Sequence, residues 1–139
     1  MRRLLALGPD PNGSLAMVLK DLQNSHENGG LFHGIFDLEN RMIGVVDYLP
    51  SGLEGNPEQA FIELLMIAAP YRSKGIGTEI VQLVEDLICE DAAITEIRGT
   101  VQSNNPNAVR FWKRIDYEII SGPELQPDNT TIFHLSKSF

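Results

Sequence analysis

The chain has 139 residues, 42% of them hydrophobic, and a formal net charge of −8. Such a length and apolar fraction suit one globular domain, residues 1–139, and exclude a disordered chain. The acidic balance argues against nucleic acid as a partner, and no apolar run approaches the ~20 residues of a membrane span. In chain order, a strand is predicted at 2–7, followed by a turn at "DPNGS". "SLAMVLKDLQN" sets Leu15, Val18, Leu19 and Leu22 at helical spacing, which predicts a helix. "LFHGIFDLENRMIGVVDYL" reads as two strands joined near Leu38–Asn40, and "PSGLEGNPEQ" as a surface loop. The apolar run "AFIELLMIAA", 60–69, predicts a strand in the middle of a sheet. From Gly75 a helix follows, with Ile76, Ile80, Leu83, Val84, Leu87 and Ile88 on one face and Glu79, Glu85 and Asp86 off it. "ITEIRGTVQ" is a strand, and "NPNAVRFWKRI" a helix opened by Asn and Pro. "YEIISG" and "TTIFHLS" close the chain as a strand pair. The order is βα-ββ-βα-βα-ββ, a mixed sheet carrying helices.

The stretch "PYRSKGIGTEI", 70–80, puts Arg72, Ser73 and Lys74 before Gly75 and Gly77 at a helix start. Unpaired N–H groups and the helix dipole favour an anion there, and glycines allow close approach to the backbone. The order of an NTP-binding loop is missing, and Ile80 stands where a dinucleotide fingerprint needs its third glycine. A plain tight turn, or a site for some other phosphate ligand, remains open from this stretch alone. Arg72, Lys74, Arg110, Lys113 and Arg114 are five of the eleven Lys and Arg, a basic pole in an acidic chain. The lone Cys89 excludes an intramolecular disulfide and is read as a packing residue in a cytoplasmic protein. His26, His33 and His134 have no metal-ligand spacing, so no metal site is predicted.

Arg72-Ser-Lys-Gly75-Ile-Gly77 resembles the Arg/Gln-x-x-Gly-x-Gly/Ala signature of the GNAT N-acetyltransferase superfamily. "NPNAVRFWKRIDYEI", 105–119, resembles that family's Asn-x-x-Ala-x-x-Phe/Leu-Tyr-x-Lys-x-Gly-Phe element through Asn105, Ala108, Phe111, Arg114 and Tyr117. The two blocks and their context span Ala60 to Ile119, about half the chain. The resemblance implies an α+β fold, an α/β/α sandwich. Its mixed, mostly antiparallel sheet would have six to seven strands, splayed centrally, with helices on both faces. It implies acetyl-CoA as co-substrate, with the pyrophosphate on the amides of 72–78, including Ile76 and Thr78. The backbone of Met66, Ile67 and Ala68 would pair with the pantetheine arm. Asn105 would contact that arm, with Ala108, Phe111 and Trp112 packed beside it and Ser73, Arg114 and the other cations near phosphate.

The implied activity is direct transfer of the acetyl group to a primary amine in a ternary complex. The alternative is a non-catalytic acyl-CoA-binding regulatory module. Alternation on the 60–69 strand puts Glu63 on one face with Phe61, Leu65 and Ile67, where partial desolvation would favour a catalytic base. Where many relatives carry a tyrosine that protonates the departing thiolate, this chain has Trp112. Tyr117 and Tyr71 are the nearby phenols, Tyr117 being the candidate acid. Asp116 replaces the glycine usual before the next strand, and Asp tolerates positive φ better than most residues. Asp47, Glu54 and Glu58 are read as an acidic surface favouring a cationic acceptor. A homodimer partner is expected to complete the acceptor site.

Overall fold

The computed structural model describes residues 4–6, 16–23, 30–72 and 75–139. The strands are β1 (Leu4–Ala6), β2 (Ala16–Gln23), β3 (Leu31–Phe36), β4 (Met42–Leu49), β5 (Gln59–Ile67), β6 (Glu96–Gln102), β7 (Glu118–Leu125) and β8 (Thr131–Ser138). Helix α1 is Ile76–Ile88 and α2 is Pro106–Arg114. All eight strands join one sheet in the order β1, β2, β3, β4, β5, β6, β8, β7. Only the β5–β6 pair is parallel.

The helix predicted around Leu15–Leu22 is instead β2, antiparallel to both β1 and β3. Four apolar residues at helical spacing cover only two turns, too little for a helix to outweigh pairing along the edge of β3. The sheet therefore has eight strands rather than six or seven, and the described residues hold two α-helices rather than three, with one 3-10 turn at Ala69–Tyr71. These two helices meet at Gly77 and Phe111, and α1 reaches β8 through Glu85 and Lys137. Both lie on the same side of the sheet. The hairpin at Leu38–Asn40 is as predicted: the Asp37 carboxylate accepts from the N–H groups of Glu39 and Arg41, both at 2.9 Å.

The core lies between α1 and the centre of the sheet. Ile80, Val84 and Ile88 of α1 are buried against Ile35, Ile43, Val46, Ile62, Ile97 and Leu135. Glu85, predicted off the apolar face, is buried as well, since it pairs with groups from two other elements.

Asp116 ends α2 at φ 77°, the left-handed region in which glycine is usual. Its N–H donates to the Lys113 carbonyl at 3.1 Å, and the Tyr117 N–H to that of Trp112 at 3.0 Å. The two bonds form a Schellman cap, whose apolar contact is made by the Trp112 and Tyr117 rings. Asp116→Gly removes the Cβ strain and raises stability by about 1 kcal/mol, read as a higher melting temperature. An unchanged or lower melting temperature would contradict this account of the cap.

Candidate active site

β5 leaves its parallel neighbour part-way along. Its pairing with β6 runs from Gln59–Glu96 to Ile62–Gly99 and is not continued by 63–67. On the other side its register with β4 slips between Tyr48–Ile62 and Asp47–Leu64, so Glu63 is the extra residue of a bulge. One inserted residue exchanges the two faces downstream. Leu65 and Ile67 therefore share a face with Ile62, not with Phe61 as simple alternation predicts. Glu63 is exposed, so the chain's own fold does not supply the partial burial predicted for it.

The same geometry decides which backbone groups are presented. The Ala68 N–H donates to the Ile43 carbonyl of β4 at 2.8 Å. Strand alternation then turns the backbone of Met66 toward β4 and that of Leu65 and Ile67 toward the open edge. This corrects the prediction that Met66 and Ala68 present theirs. Arg72 confirms the direction, its Nε–H donating to the Ile67 carbonyl at 2.8 Å. The guanidinium thus ties the segment before α1 to the end of β5.

Below that edge, α1 begins at Gly75, its N-cap, with φ 79° and no side-chain cap. The first-turn N–H groups are left for a ligand. A Cβ on Gly77 would stand 3.1 Å from the Phe111 ring, so glycine allows α2 to close against the start of α1. α2 is started by Asn105, whose side-chain oxygen accepts the Ala108 N–H at 3.1 Å. That bond leaves the Asn105 NH₂ group facing outward as a donor.

These elements enclose one cleft of about 690 Å³. Its wall includes Met66, Ile67, Arg72, Gly75, Gly77, Thr78, Asn105, Ala108, Phe111, Trp112 and Arg114, all predicted from sequence. Arg110 of the predicted basic pole lines it too, and Leu65, Tyr71 and Asn107 complete it. Helical spacing from Phe111 back to Asn107 was the signal that would have found the last of these. The Ile76 side chain is buried in the core, so only its backbone belongs to the helix start. Ser73 and Lys74 lie outside the described residues, as does His26.

Tyr117, the candidate acid, is 1% exposed and donates its hydroxyl to Glu85 Oε2 at 2.9 Å. Burial, with the Glu85 carboxylate beside it, pushes its phenol far above the ordinary tyrosine range. It is a core group and no acid for a reaction in the cleft. Asp47 is buried on β4 opposite Leu64, which removes it from the predicted acidic surface. His33 is a buried sheet histidine stacked on Tyr48. Cys89 is half-buried just past α1, and burial raises its thiol above the usual range.

A central strand that parts from its neighbour, a glycine-led helix start and a second helix carrying exposed arginines meet at this one cleft. The model of the acetyltransferase (GNAT) family matches residues 4–117. The chain belongs to this family. Within it, N-alpha-acetyltransferase 50 of Danio rerio is 34% identical over 65 residues, 47% of this chain and 39% of its own. Probable N-acetyltransferase san of Drosophila melanogaster is 32% identical over 69 residues, 50% of this chain and 38% of its own. The chain thus spans well under half the length of these curated relatives. The GNAT fold is shared with the spermidine N-acetyltransferase of Vibrio cholerae, solved in complex with CoA and spermine. That match has a TM-score of 0.66 at 16% identity, covering 81% of this chain and 68% of the other.

Proposed function

We propose that this chain transfers the acetyl group of acetyl-CoA to a primary amine by direct attack in a ternary complex. The observation that carries the proposal is the open β5 edge, which runs into the Gly75 helix start along one continuous cleft. The backbone N–H and carbonyl of Leu65 and the N–H of Ile67 pair with the amides of the pantetheine arm, as an added strand would, while the Ile67 carbonyl is held by Arg72. The first-turn N–H groups of α1 take the pyrophosphate. Asn105 reaches the arm with its NH₂ group, Phe111 and Trp112 form the apolar wall, and Arg110 and Arg114 lie exposed for phosphate.

The acetyl end then lies at the fork where β5 parts from β6, beside Glu63. There Glu63 takes a proton from the incoming ammonium, directly or through a water. The neutral amine attacks the thioester carbon, the C–S bond breaks, and the amide nitrogen's proton passes to the thiolate. With Trp112 in the cleft and Tyr117 sealed in the core, solvent or the product nitrogen delivers that proton. The reading places the chain in the cytoplasm. Leu64 and Met66, 37% and 54% exposed beside the fork, support a second copy completing the acceptor side as a homodimer.

Arg72 separates two contributions. Arg72→Ala removes a charge and the tie to Ile67, and weakens acetyl-CoA binding about tenfold by calorimetry, in keeping with one charged hydrogen bond. Arg72→Lys keeps the charge without the Nε–H fork and recovers less than half of that loss in free energy. Full recovery by lysine would show that charge alone matters at this position.

Free thiol released from acetyl-CoA across a panel of small amines, polyamines and peptide amino termini tests the activity. Amine-dependent release supports it. Tight acetyl-CoA binding with no release on any amine would instead favour a regulatory acyl-CoA-binding module.

A further inference from the structure

Behind the cleft wall lies a buried ionic cluster that acetyl transfer itself does not use. Glu85 of α1 accepts the Tyr117 hydroxyl at 2.9 Å and receives Lys137 Nζ of β8 at 3.2 and 3.1 Å on its two oxygens. The Glu85 and Lys137 side chains are 9% and 22% exposed. The Lys137 ammonium also stands 5.6 Å from the centre of the Tyr117 ring. Three elements, α1, β8 and the residue joining α2 to β7, are thereby held at one carboxylate.

For stability alone this is a poor choice. Drawing a carboxylate and an ammonium out of water costs several kcal/mol each, and well-packed apolar groups often do as well. The cluster makes sense when it is followed toward the cleft. The Tyr117 ring meets Trp112 edge-on, with centroids 5.0 Å apart at 78°. Trp112 meets Phe111 in the same manner, at 5.3 Å and 76°. Phe111 packs over Gly77 at the anion cradle. Every ring beyond Tyr117 in this series lines the cleft, and the hydroxyl bond fixes the series at its far end.

We propose that the Glu85–Tyr117–Lys137 cluster is a positioning device for the acetyl-CoA wall, setting the place of Trp112 and, through it, of Phe111 over Gly77. The proposal rests on the cleft being the acetyl-CoA site. Tyr117 and Glu85 are positioning residues in this account, since neither touches the ligand. Their loss therefore weakens acetyl-CoA binding more than it slows the chemical step.

Trp112 is the chain's one tryptophan, so its emission reports the wall directly. In Tyr117→Phe the ring stays and only the hydroxyl is lost. Its expected effects are a Kd for acetyl-CoA raised about five- to tenfold, kcat at saturation within about twofold, and Trp112 emission displaced in the free protein. Saturating acetyl-CoA should return that emission to the wild-type position. Glu85→Gln, which keeps an acceptor for Tyr117, should fall between wild type and Tyr117→Phe in both readouts and covers the case in which the first variant does not fold. Ile88→Val, a mild core change away from the cleft, serves as the stability control and should move neither affinity nor emission. A lower melting temperature in Tyr117→Phe with affinity and emission both unmoved would overturn the proposal, leaving the cluster a structural bond alone. Failure of the wild type to bind acetyl-CoA would overturn the reading of the cleft instead, while the displaced emission of the variants would still report positioning of Trp112.

Discussion

Glu63→Gln lowers kcat by about 10²-fold while acetyl-CoA affinity stays within about twofold of wild type, a contribution ordinary for a positioned general base. The side chain is exposed and the change nearly isosteric, so the fold has no reason to respond. What makes the position special is its place in the sheet. Pairing with β6 ends at Ile62, and the β4–β5 bulge is centred on Glu63 itself. Glu63 therefore sits in the backbone at the fork, next to the cleft-lining Leu65, where the thioester ends when the arm lies along Leu65 and Ile67. Because the fold leaves Glu63 in water, any desolvation must come from the bound acceptor. A kcat unchanged by the substitution would place the base elsewhere.

Ile97→Ala is the largest stability loss expected, about 2–5 kcal/mol, read from chemical denaturation with an unchanged m-value. Ile97 is 0% exposed on β6, in register with Ala60 of β5 and Lys137 of β8. Its neighbours are a parallel strand pair on one side and α1 above, which cannot close over a cavity without shifting the sheet. Natural domains have only about 5–15 kcal/mol in reserve, so the variant should lie near the edge of folding at 37 °C. A loss below about 1 kcal/mol would mean that the α1–sheet core repacks freely.

The sequence carried the centre of the molecule well and its margins less so. β5, α1, β6 and α2 fall where periodicity and capping put them, β5 and α1 through long apolar patterns, β6 through alternation and α2 through its Asn-Pro start. Arg72, Gly75, Gly77, Asn105 and Phe111 converge on one cleft because both motifs lie at helix starts flanking the split strand. β2 was misread as a helix: eight residues of mixed pattern satisfy either period, and its pairing with β3 is a non-local choice. Leu65 and Ile67 were grouped with Phe61 on the wrong face, since a one-residue bulge at Glu63 leaves no mark on the alternation of side chains. Tyr117 and Glu85 were misjudged for a related reason. Their partnership links positions 32 apart, and nothing local announces that a charged residue of α1 is buried against a tyrosine and a lysine. Asp116, by contrast, was legible from one departure, an aspartate where glycine is usual, and it does adopt positive φ.

The central claim is that the open edge of β5 and the start of α1 hold acetyl-CoA. Electron density from crystals grown with acetyl-CoA tests it most directly. The account predicts the pantetheine amides on the backbone of Leu65 and Ile67, the pyrophosphate over the N–H groups following Gly75, and the thioester beside Glu63. Density for the cofactor outside this cleft, or within it but leaving the Leu65 and Ile67 edge unpaired, would contradict it.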